Sequence, residues 1–136
     1  MNEASARPRR ASIVVADNDP NVLDLVMTDL GFEGYDVVAA VPSGEAASEA
    51  CALHHPDVLI VDYRMPPGWN GLQTIEHVLE AGTARQCLLY TNYRAPEIGR
   101  RARRMGAYYL AKGPLWTLRS TLNEMLATSP PVVQPS

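Results

Sequence analysis

The sequence predicts an α/β fold in which a doubly wound, five-stranded parallel sheet is covered by helices on both faces. Five apolar runs of four or five residues recur along the chain, and each is followed by a segment in which apolar residues repeat at helical spacing. The runs are mostly continuous rather than alternating, which is typical of strands buried on both faces. Five strand–helix pairs with short connections favour parallel strands joined by crossover helices.

The predicted elements follow one another in a regular order. The strands are residues 13–16, 37–41, 58–61, 87–90 and 108–111. Asp19-Pro20 predicts the start of the first helix, because an aspartate can cap a helix whose first residue is proline, and helical spacing continues up to Gly31. The remaining helices are predicted at about 44–53, 71–81, 96–105 and 115–126.

The composition indicates one globular domain. The chain has 136 residues, of which 46% are hydrophobic and 20% are charged, enough to bury a single core. We expect flexible ends at residues 1–10 and 128–136, the second also a candidate start of a linker, around a folded domain at 11–127. Cys51 and Cys87 are far apart in the sequence and are predicted to be small buried side chains rather than a disulfide or metal ligands.

The sequence contains no feature that indicates a membrane. No apolar run approaches the roughly 20 residues that a membrane helix needs. The first ten residues are polar and basic, and they do not resemble a secretory signal. We therefore expect a cytoplasmic protein with no membrane partner.

Charge is distributed unevenly along the chain. Residues 11–93 contain twelve acidic residues against two arginines, whereas residues 94–136 contain two glutamates against six arginines and Lys112. Lys112 is the only lysine, which indicates a position that favours a compact ammonium over a planar guanidinium. Five arginines lie within residues 94–104, a pattern that fits either a partner-binding surface or a solvated helix face. Because the domain is acidic overall, we expect nucleic-acid binding only if an output domain is missing from this chain.

Four of the five apolar runs end at a hydrophilic residue, namely Asp17, Asp62, Thr91 and Lys112. Because the carboxyl ends of parallel strands meet at one edge of a sheet, we expect these side chains to converge there. Two neighbouring carboxylates favour a shared divalent cation with oxygen ligands, such as Mg²⁺. A carboxylate in such a site can attack phosphorus, and the ammonium and hydroxyl groups can neutralise and bind the phosphoryl oxygens.

The motifs that carry these groups resemble the receiver domain of two-component response regulators. The matching segments are Asp17-Asn18-Asp19-Pro20, Asp62-Tyr63-Arg64-Met65-Pro66, Thr91 and Lys112, and the resemblance spans about residues 11–127. It implies a flavodoxin-like fold of strand order 2-1-3-4-5 and a role in bacterial phosphorelay signalling. It also implies that Asp62 accepts a phosphoryl group from a histidine kinase or a histidine phosphotransfer protein. Only self-phosphotransfer and self-dephosphorylation are expected, so the chain is not predicted to be a metabolic enzyme.

The resemblance assigns a role to each site residue. It implies Mg²⁺ or Mn²⁺ held by Asp17, Asn18, Asp62 and the backbone carbonyl of Arg64. Thr91 and Lys112 would contact the phosphoryl group, and Thr91 and Tyr109 would form the conformational switch. The output face would include residues 94–126, where we expect a homodimer.

The sequence departs from the family pattern at several positions. Asn18 replaces the usual second aspartate, so one negative charge is missing and Mg²⁺ should bind less tightly. Asn92 replaces the usual small residue after the threonine and should narrow access to Asp62. Two alternatives therefore stay open beside the phosphoacceptor. One is a degenerate receiver that binds partners without phosphorylation, and the other is the N-terminal receiver of a truncated DNA-binding regulator.

Overall fold

The computed structural model describes residues 10–128, which form five strands and five helices in strict alternation. The strands are β1 (Ser12–Ala16), β2 (Asp36–Val41), β3 (Val58–Val61), β4 (Gln86–Thr91) and β5 (Tyr108–Ala111). The helices are α1 (Pro20–Phe32), α2 (Gly44–His54), α3 (Gly71–Ala81), α4 (Pro96–Arg104) and α5 (Leu115–Ala127). The predicted elements are therefore confirmed, with boundaries shifted by a residue or so.

All strands pair in parallel in the order β2-β1-β3-β4-β5, as the resemblance implied. The sheet separates two apolar clusters, because successive side chains of a strand point to opposite faces. Val14 and Leu59 pack on one face with α2, α3 and α4, whereas Ile13 and Ile60 pack on the other with α1 and α5. Every residue of β3 is buried, which explains why its sequence is continuously apolar.

The two cysteines are free and buried in the first of these clusters, as predicted. Burial raises the pKa of the Cys51 thiol to about 11, and burial also raises the pKa of Cys87. Both thiols are therefore protonated at neutral pH and behave as apolar side chains.

Side-chain caps begin α1 and α3. The Asp19 carboxylate accepts a hydrogen bond from the Asn21 backbone N–H at 2.9 Å, directly before the proline that starts α1. Asn70 and Gln73 exchange hydrogen bonds between side chain and backbone in a capping box that begins α3. Both caps satisfy backbone N–H groups that have no partner within the helix.

The loop between β3 and α3, residues 62–70, is packed against the neighbouring helices. The Trp69 indole stacks on the His77 imidazole with ring centroids 3.9 Å apart, and the Trp69 backbone N–H donates to Glu45 at 3.0 Å. The Pro66–Pro67 peptide bond in this loop is cis. These contacts pack Trp69 against α2 and α3 and hold the loop in place.

Arg10, the last residue of the predicted amino-terminal end, contacts the folded domain. Its guanidinium lies 4.3 Å from the Tyr35 ring centroid and donates to Asn123 Oδ1 at 2.5 Å. A second guanidinium nitrogen donates to the Glu33 carbonyl at 3.3 Å. The aromatic face and the two acceptors hold this residue on the domain. Residues 1–9 and 129–136 of the two predicted ends lie outside the described residues.

Within the described part of the chain, no helix is long and apolar enough to cross a membrane.

Candidate functional site

An open pocket of about 350 Å³ lies at the carboxyl edge of the sheet, where β1, β3, β4 and β5 end. It brings together six of the seven predicted site residues, and Tyr109 lies outside it. The lining residues are Asp17, Asn18, Asp19, Val22, Asp62, Arg64, Pro66, Thr91, Asn92, Tyr93 and Lys112. The pocket joins carboxylates, a hydroxyl and an ammonium.

The sheet itself positions the charged groups, because backbone hydrogen bonds continue one residue beyond the strands. The Asp62 N–H donates to the Ala16 carbonyl at 3.0 Å, and the Lys112 N–H donates to the Thr91 carbonyl at 3.0 Å. Neighbouring strand ends are thus fixed relative to one another. The side chains that follow them are held at one edge, as the sequence predicted.

Lys112 bridges the two aspartates. Its Nζ lies 2.6 Å from Asp17 Oδ2 and 3.3 Å from Asp62 Oδ2. The second oxygen of each carboxylate accepts a backbone hydrogen bond, from the Asp19 N–H at 2.9 Å and from the Tyr63 N–H at 2.7 Å. A single ammonium therefore offsets the repulsion between two carboxylates whose orientation the backbone fixes.

Burial and the close contacts between charges shift the pKa values of Asp17 and Lys112. Asp17 is only 3% exposed, and loss of solvation raises the pKa of its carboxyl group despite the hydrogen bond from Lys112. Burial acts to lower the pKa of Lys112, but the hydrogen bond to Asp17 and the charges of both aspartates outweigh it and raise this pKa. Lys112 is therefore a permanent positive charge at neutral pH.

Thr91 is buried at the end of β4, with its hydroxyl at the pocket. Its Oγ1 accepts a hydrogen bond from the Tyr93 N–H at 3.1 Å. Among residues 10–128 its hydroxyl hydrogen is donated to no other protein group. Thr91 can therefore donate that hydrogen to an anion bound in the pocket.

The rim of the pocket is aromatic, a feature that sequence reasoning missed. The Tyr63 and Tyr93 rings stack with centroids 5.0 Å apart, and the Arg64 guanidinium lies 5.2 Å from the Tyr93 centroid. Asn92 lines the same side of the pocket. The signal was one tyrosine near each of two strand ends, but nothing in the spacing indicated that they meet.

Tyr109 lies away from the pocket, on the side of β5 that faces α4. It is opposite Leu89 in the sheet, while Thr91 is opposite Ala111, so Thr91 and Tyr109 are diagonal neighbours on one sheet face. Its ring lies against Gly99 of α4, where a Cβ atom would be 3.3 Å from the ring. The arrangement places Tyr109 between the strand that carries Thr91 and the surface of α4.

The pocket suits a hard divalent cation. It offers the carboxylates of Asp17 and Asp62 and the side-chain amide of Asn18, and Arg64 also lines it. The repulsion between Asp17 and Asp62, which Lys112 alone offsets, is the electrostatic reason for a cation to bind there. Within residues 10–128 no group of three or more acidic, histidine or cysteine side chains could by itself hold a metal ion. One oxygen of the Asp19 carboxylate accepts the Asn21 N–H that begins α1.

A parallel sheet of order 2-1-3-4-5 with an acidic pocket and a lysine at its carboxyl edge defines a signalling domain of the receiver class. Residues 13–115 match the family model of the response regulator receiver domain. The chain belongs to this family, which serves two-component systems. Members of the family generally bind Mg²⁺ at the site of phosphorylation and interact with histidine kinases.

Curated bacterial proteins show the same relationship. The chain is 32% identical over 105 residues to the "Probable transcriptional regulatory protein NarL" of Mycobacterium tuberculosis, covering 76% of this chain and 48% of that protein. It is 35% identical over 105 residues to the oxygen regulatory protein NreC of Staphylococcus haemolyticus, covering 75% and 48%. The chain thus spans about half the length of the curated relatives it matches.

A solved structure also matches over nearly the whole described domain. The signal receiver domain of NarL from Mycobacterium tuberculosis is 29% identical, with a TM-score of 0.79 over 89% of this chain and all of that chain. The beryllofluoride-activated receiver domain of Klebsiella pneumoniae RstA is 27% identical, with a TM-score of 0.77 over 86% and 99%. Fold and family therefore agree.

Proposed function

We propose that Asp62 is the phosphoacceptor of this receiver domain and that its phosphoryl donor is a histidine kinase or a histidine phosphotransfer protein. The observation that carries the proposal is the position of the Asp62 carboxylate. It lies in an open pocket, 3.3 Å from the Lys112 ammonium, and the neighbouring Asp17 is almost completely buried. Asp62 is the accessible carboxylate of the pair, and the charge needed to bind a phosphoryl group is beside it.

The reaction moves a phosphoryl group from the imidazole nitrogen of a phosphohistidine to Asp62. An Asp62 oxygen forms the new bond to phosphorus while the P–N bond breaks, and the released imidazole takes up a proton. Lys112 binds a phosphoryl oxygen, and the Thr91 hydroxyl donates to another. Later attack by water restores the carboxylate and releases inorganic phosphate.

The pocket's oxygen atoms would hold Mg²⁺ or Mn²⁺ during this transfer. Its ligands would be the side chains of Asp17, Asn18 and Asp62 and the backbone carbonyl of Arg64. When bound, the cation would neutralise negative charge on the phosphoryl oxygens. Asp17 then has two functions, since it also fixes the Lys112 ammonium at 2.6 Å.

Thr91 and Tyr109 would transmit the change to the surface. When Thr91 donates to the phosphoryl group it moves toward the pocket, and its diagonal neighbour Tyr109 can turn into the space that it leaves. Tyr109 lies on Gly99, so its movement would alter the packing of α4 against the sheet. Residues 94–126 would therefore form the output face, and a homodimer through this face stays a prediction.

Mass spectrometry tests the phosphoacceptor. Incubation with acetyl phosphate and Mg²⁺ should add one phosphoryl group to the intact protein, and Asp62→Asn should remove this labelling. Asp24→Asn is a matched control, because Asp24 is an exposed aspartate on α1 outside the pocket. Labelling of Asp62→Asn equal to that of the wild type would assign the phosphoryl group to another residue.

The same measurement decides between this function and the degenerate receiver that Asn18 suggested. A wild-type protein that takes up no phosphoryl group, while Asn18→Asp does, would identify an interaction module that works without phosphorylation. The names of the curated relatives favour gene regulation as the process that this domain serves. An output module in the reading frame beyond Ser136 would show that the receiver is the N-terminal part of a DNA-binding regulator.

A further inference from the structure

A second concave surface, separate from the phosphoacceptor pocket, lies between α3 and α4. It is a groove of about 320 Å³ lined by Leu72, Gln73, Glu76, Arg101, Arg104 and Met105. None of these residues lines the pocket at the carboxyl edge. We propose that this α3–α4 groove binds an acidic segment of a partner protein that also carries aliphatic side chains.

The floor of the groove is apolar. Leu72 is 3% exposed and belongs to the apolar cluster under α3 and α4, and the half-buried Met105 packs against the same cluster. Gln73 and Glu76 on one side, and Arg101 and Arg104 on the other, are exposed. An apolar floor between polar walls fits a peptide that places an aliphatic side chain inward and charged side chains outward.

The positive charge of α4 indicates that the partner segment is negatively charged. Helix α4 carries four arginines and one acidic residue, Glu97, although the protein as a whole has a net charge of −3. Glu97 is shared, since it lies 2.9 Å from Arg100 and 3.5 Å from Arg104. Arg101 makes no ion pair with any residue in the range 10–128. Its guanidinium is thus available to bind a carboxylate of a partner through two parallel hydrogen bonds.

A protein segment fits better than nucleic acid or a second copy. Glu76 lies in the opposite wall, where it would repel a continuous row of phosphates but would tolerate a peptide whose carboxylates face α4. The apolar floor offers nothing to a phosphate backbone. A symmetric contact made through the groove itself would bring Arg101 and Arg104 of two copies together, which like-charge repulsion disfavours, so the predicted homodimer would use other parts of residues 94–126.

The groove is joined to the phosphoacceptor through the start of α3. Gly71, directly before Leu72, donates its N–H to the Tyr63 carbonyl at 2.8 Å. A Cβ atom on Gly71 would lie 2.2 Å from the Asp62 carbonyl oxygen, so the two backbones are in close contact. Binding in the groove does not depend on the proposed phosphorylation, but the two sites share this rigid connection.

An array of short peptides tests the proposal. The labelled protein is applied to three sets that share aliphatic positions and carry glutamate and aspartate, glutamine and asparagine, or lysine at the others. We expect binding to the acidic set, falling with added salt. The double variant Arg101→Ala/Arg104→Ala should lose roughly tenfold in affinity for the best peptide, about 1.4 kcal/mol. Arg85→Ala, an exposed arginine outside the groove, should bind as the wild type does.

Nuclear magnetic resonance with the best acidic peptide should show shifts at residues 72–76 and 101–105. Asp62→Asn should bind equally well, which separates a failure of this proposal from a failure of the proposed phosphoacceptor. No preference for acidic peptides, shifts outside the groove, or unchanged binding by the double variant would overturn the proposal. Tighter binding of a DNA duplex, or a dimer that the double variant dissociates, would assign the groove to another occupant and overturn it as well.

Discussion

The contacts of Lys112 explain why the only lysine of the chain occurs at this position. Its ammonium contacts Asp17 and Asp62 together, and its side chain is 12% exposed, so three charged groups share a small volume. A planar guanidinium binds one carboxylate with two parallel bonds, whereas an ammonium can direct its donors to separate acceptors. The ammonium at this position therefore suits the proposed function, in which a phosphoryl oxygen would be a third acceptor beside the two carboxylates.

The missing charge at position 18 should be measurable as weakened metal binding. Asn18→Asp adds a carboxylate beside Asp17 and Asp62, and we expect Mg²⁺ affinity to rise by roughly tenfold, because ligand charge strengthens the binding of hard cations. Isothermal titration calorimetry with Mg²⁺ measures this directly. Asp24→Asn serves as the control for a general change of charge. An affinity that stays constant in Asn18→Asp would mean that residue 18 does not face the cation.

At the scale of elements, the junction between β3 and α3 depends on a glycine. Gly71→Ala would place a Cβ atom 2.2 Å from the Asp62 carbonyl oxygen and 2.7 Å from Leu89, and the first of these contacts is with backbone. We expect the free energy of unfolding to fall by about 1–3 kcal/mol. We also expect slower labelling by acetyl phosphate, since relief of the clash moves Asp62.

Gly31→Ala is the matched control for this variant. Gly31 lies in α1 with no atom within 4 Å of the added Cβ, so the change should stabilise the protein by up to about 1 kcal/mol. Urea unfolding of both variants, followed by circular dichroism, measures the difference. Equal stabilities of Gly71→Ala and the wild type would show that α3 shifts freely relative to Asp62.

The elements and the convergence of Asp17, Asp62, Thr91 and Lys112 could be predicted because both depend on local pattern. A strand buried on both faces needs a continuous apolar run. The carboxyl ends of parallel strands share one edge of the sheet regardless of how the connecting helices pack. The aromatic rim could not be predicted, since the contact of Tyr63 with Tyr93 depends on how two irregular loops fold toward each other. The α3–α4 groove could not be predicted either, because it is a gap between side chains of two helices, and its shape depends on how those helices pack.

At the scale of the whole molecule, phosphorylation should change the surface over residues 94–126. Converting a two-state equilibrium from 1:99 to 99:1 needs about 5.5 kcal/mol. Three or four charge-assisted hydrogen bonds, each of roughly 1.5–3 kcal/mol, can supply it if they form only in the active state. Beryllofluoride, a phosphoryl mimic, should therefore shift amide resonances across this range as well as in the pocket.

Sedimentation with and without beryllofluoride tests whether the predicted homodimer accompanies this change. Tyr109→Ala is the informative variant, because it should retain the shifts around Asp62 and lose those in α4, where Tyr109 lies against Gly99. Shifts confined to the pocket in the wild type, together with a constant sedimentation coefficient, would contradict the Thr91–Tyr109 coupling.

The contact of Arg10 with Tyr35 and Asn123 has a practical consequence for how the protein can be handled. It fixes the chain just before β1, at the end of the sheet opposite to the edge that carries Asp62. Attachment of the amino-terminal side to a sensor chip or a bead should leave the phosphoacceptor edge directed toward the solution. Immobilised in this orientation, the domain can be offered to kinases in solution.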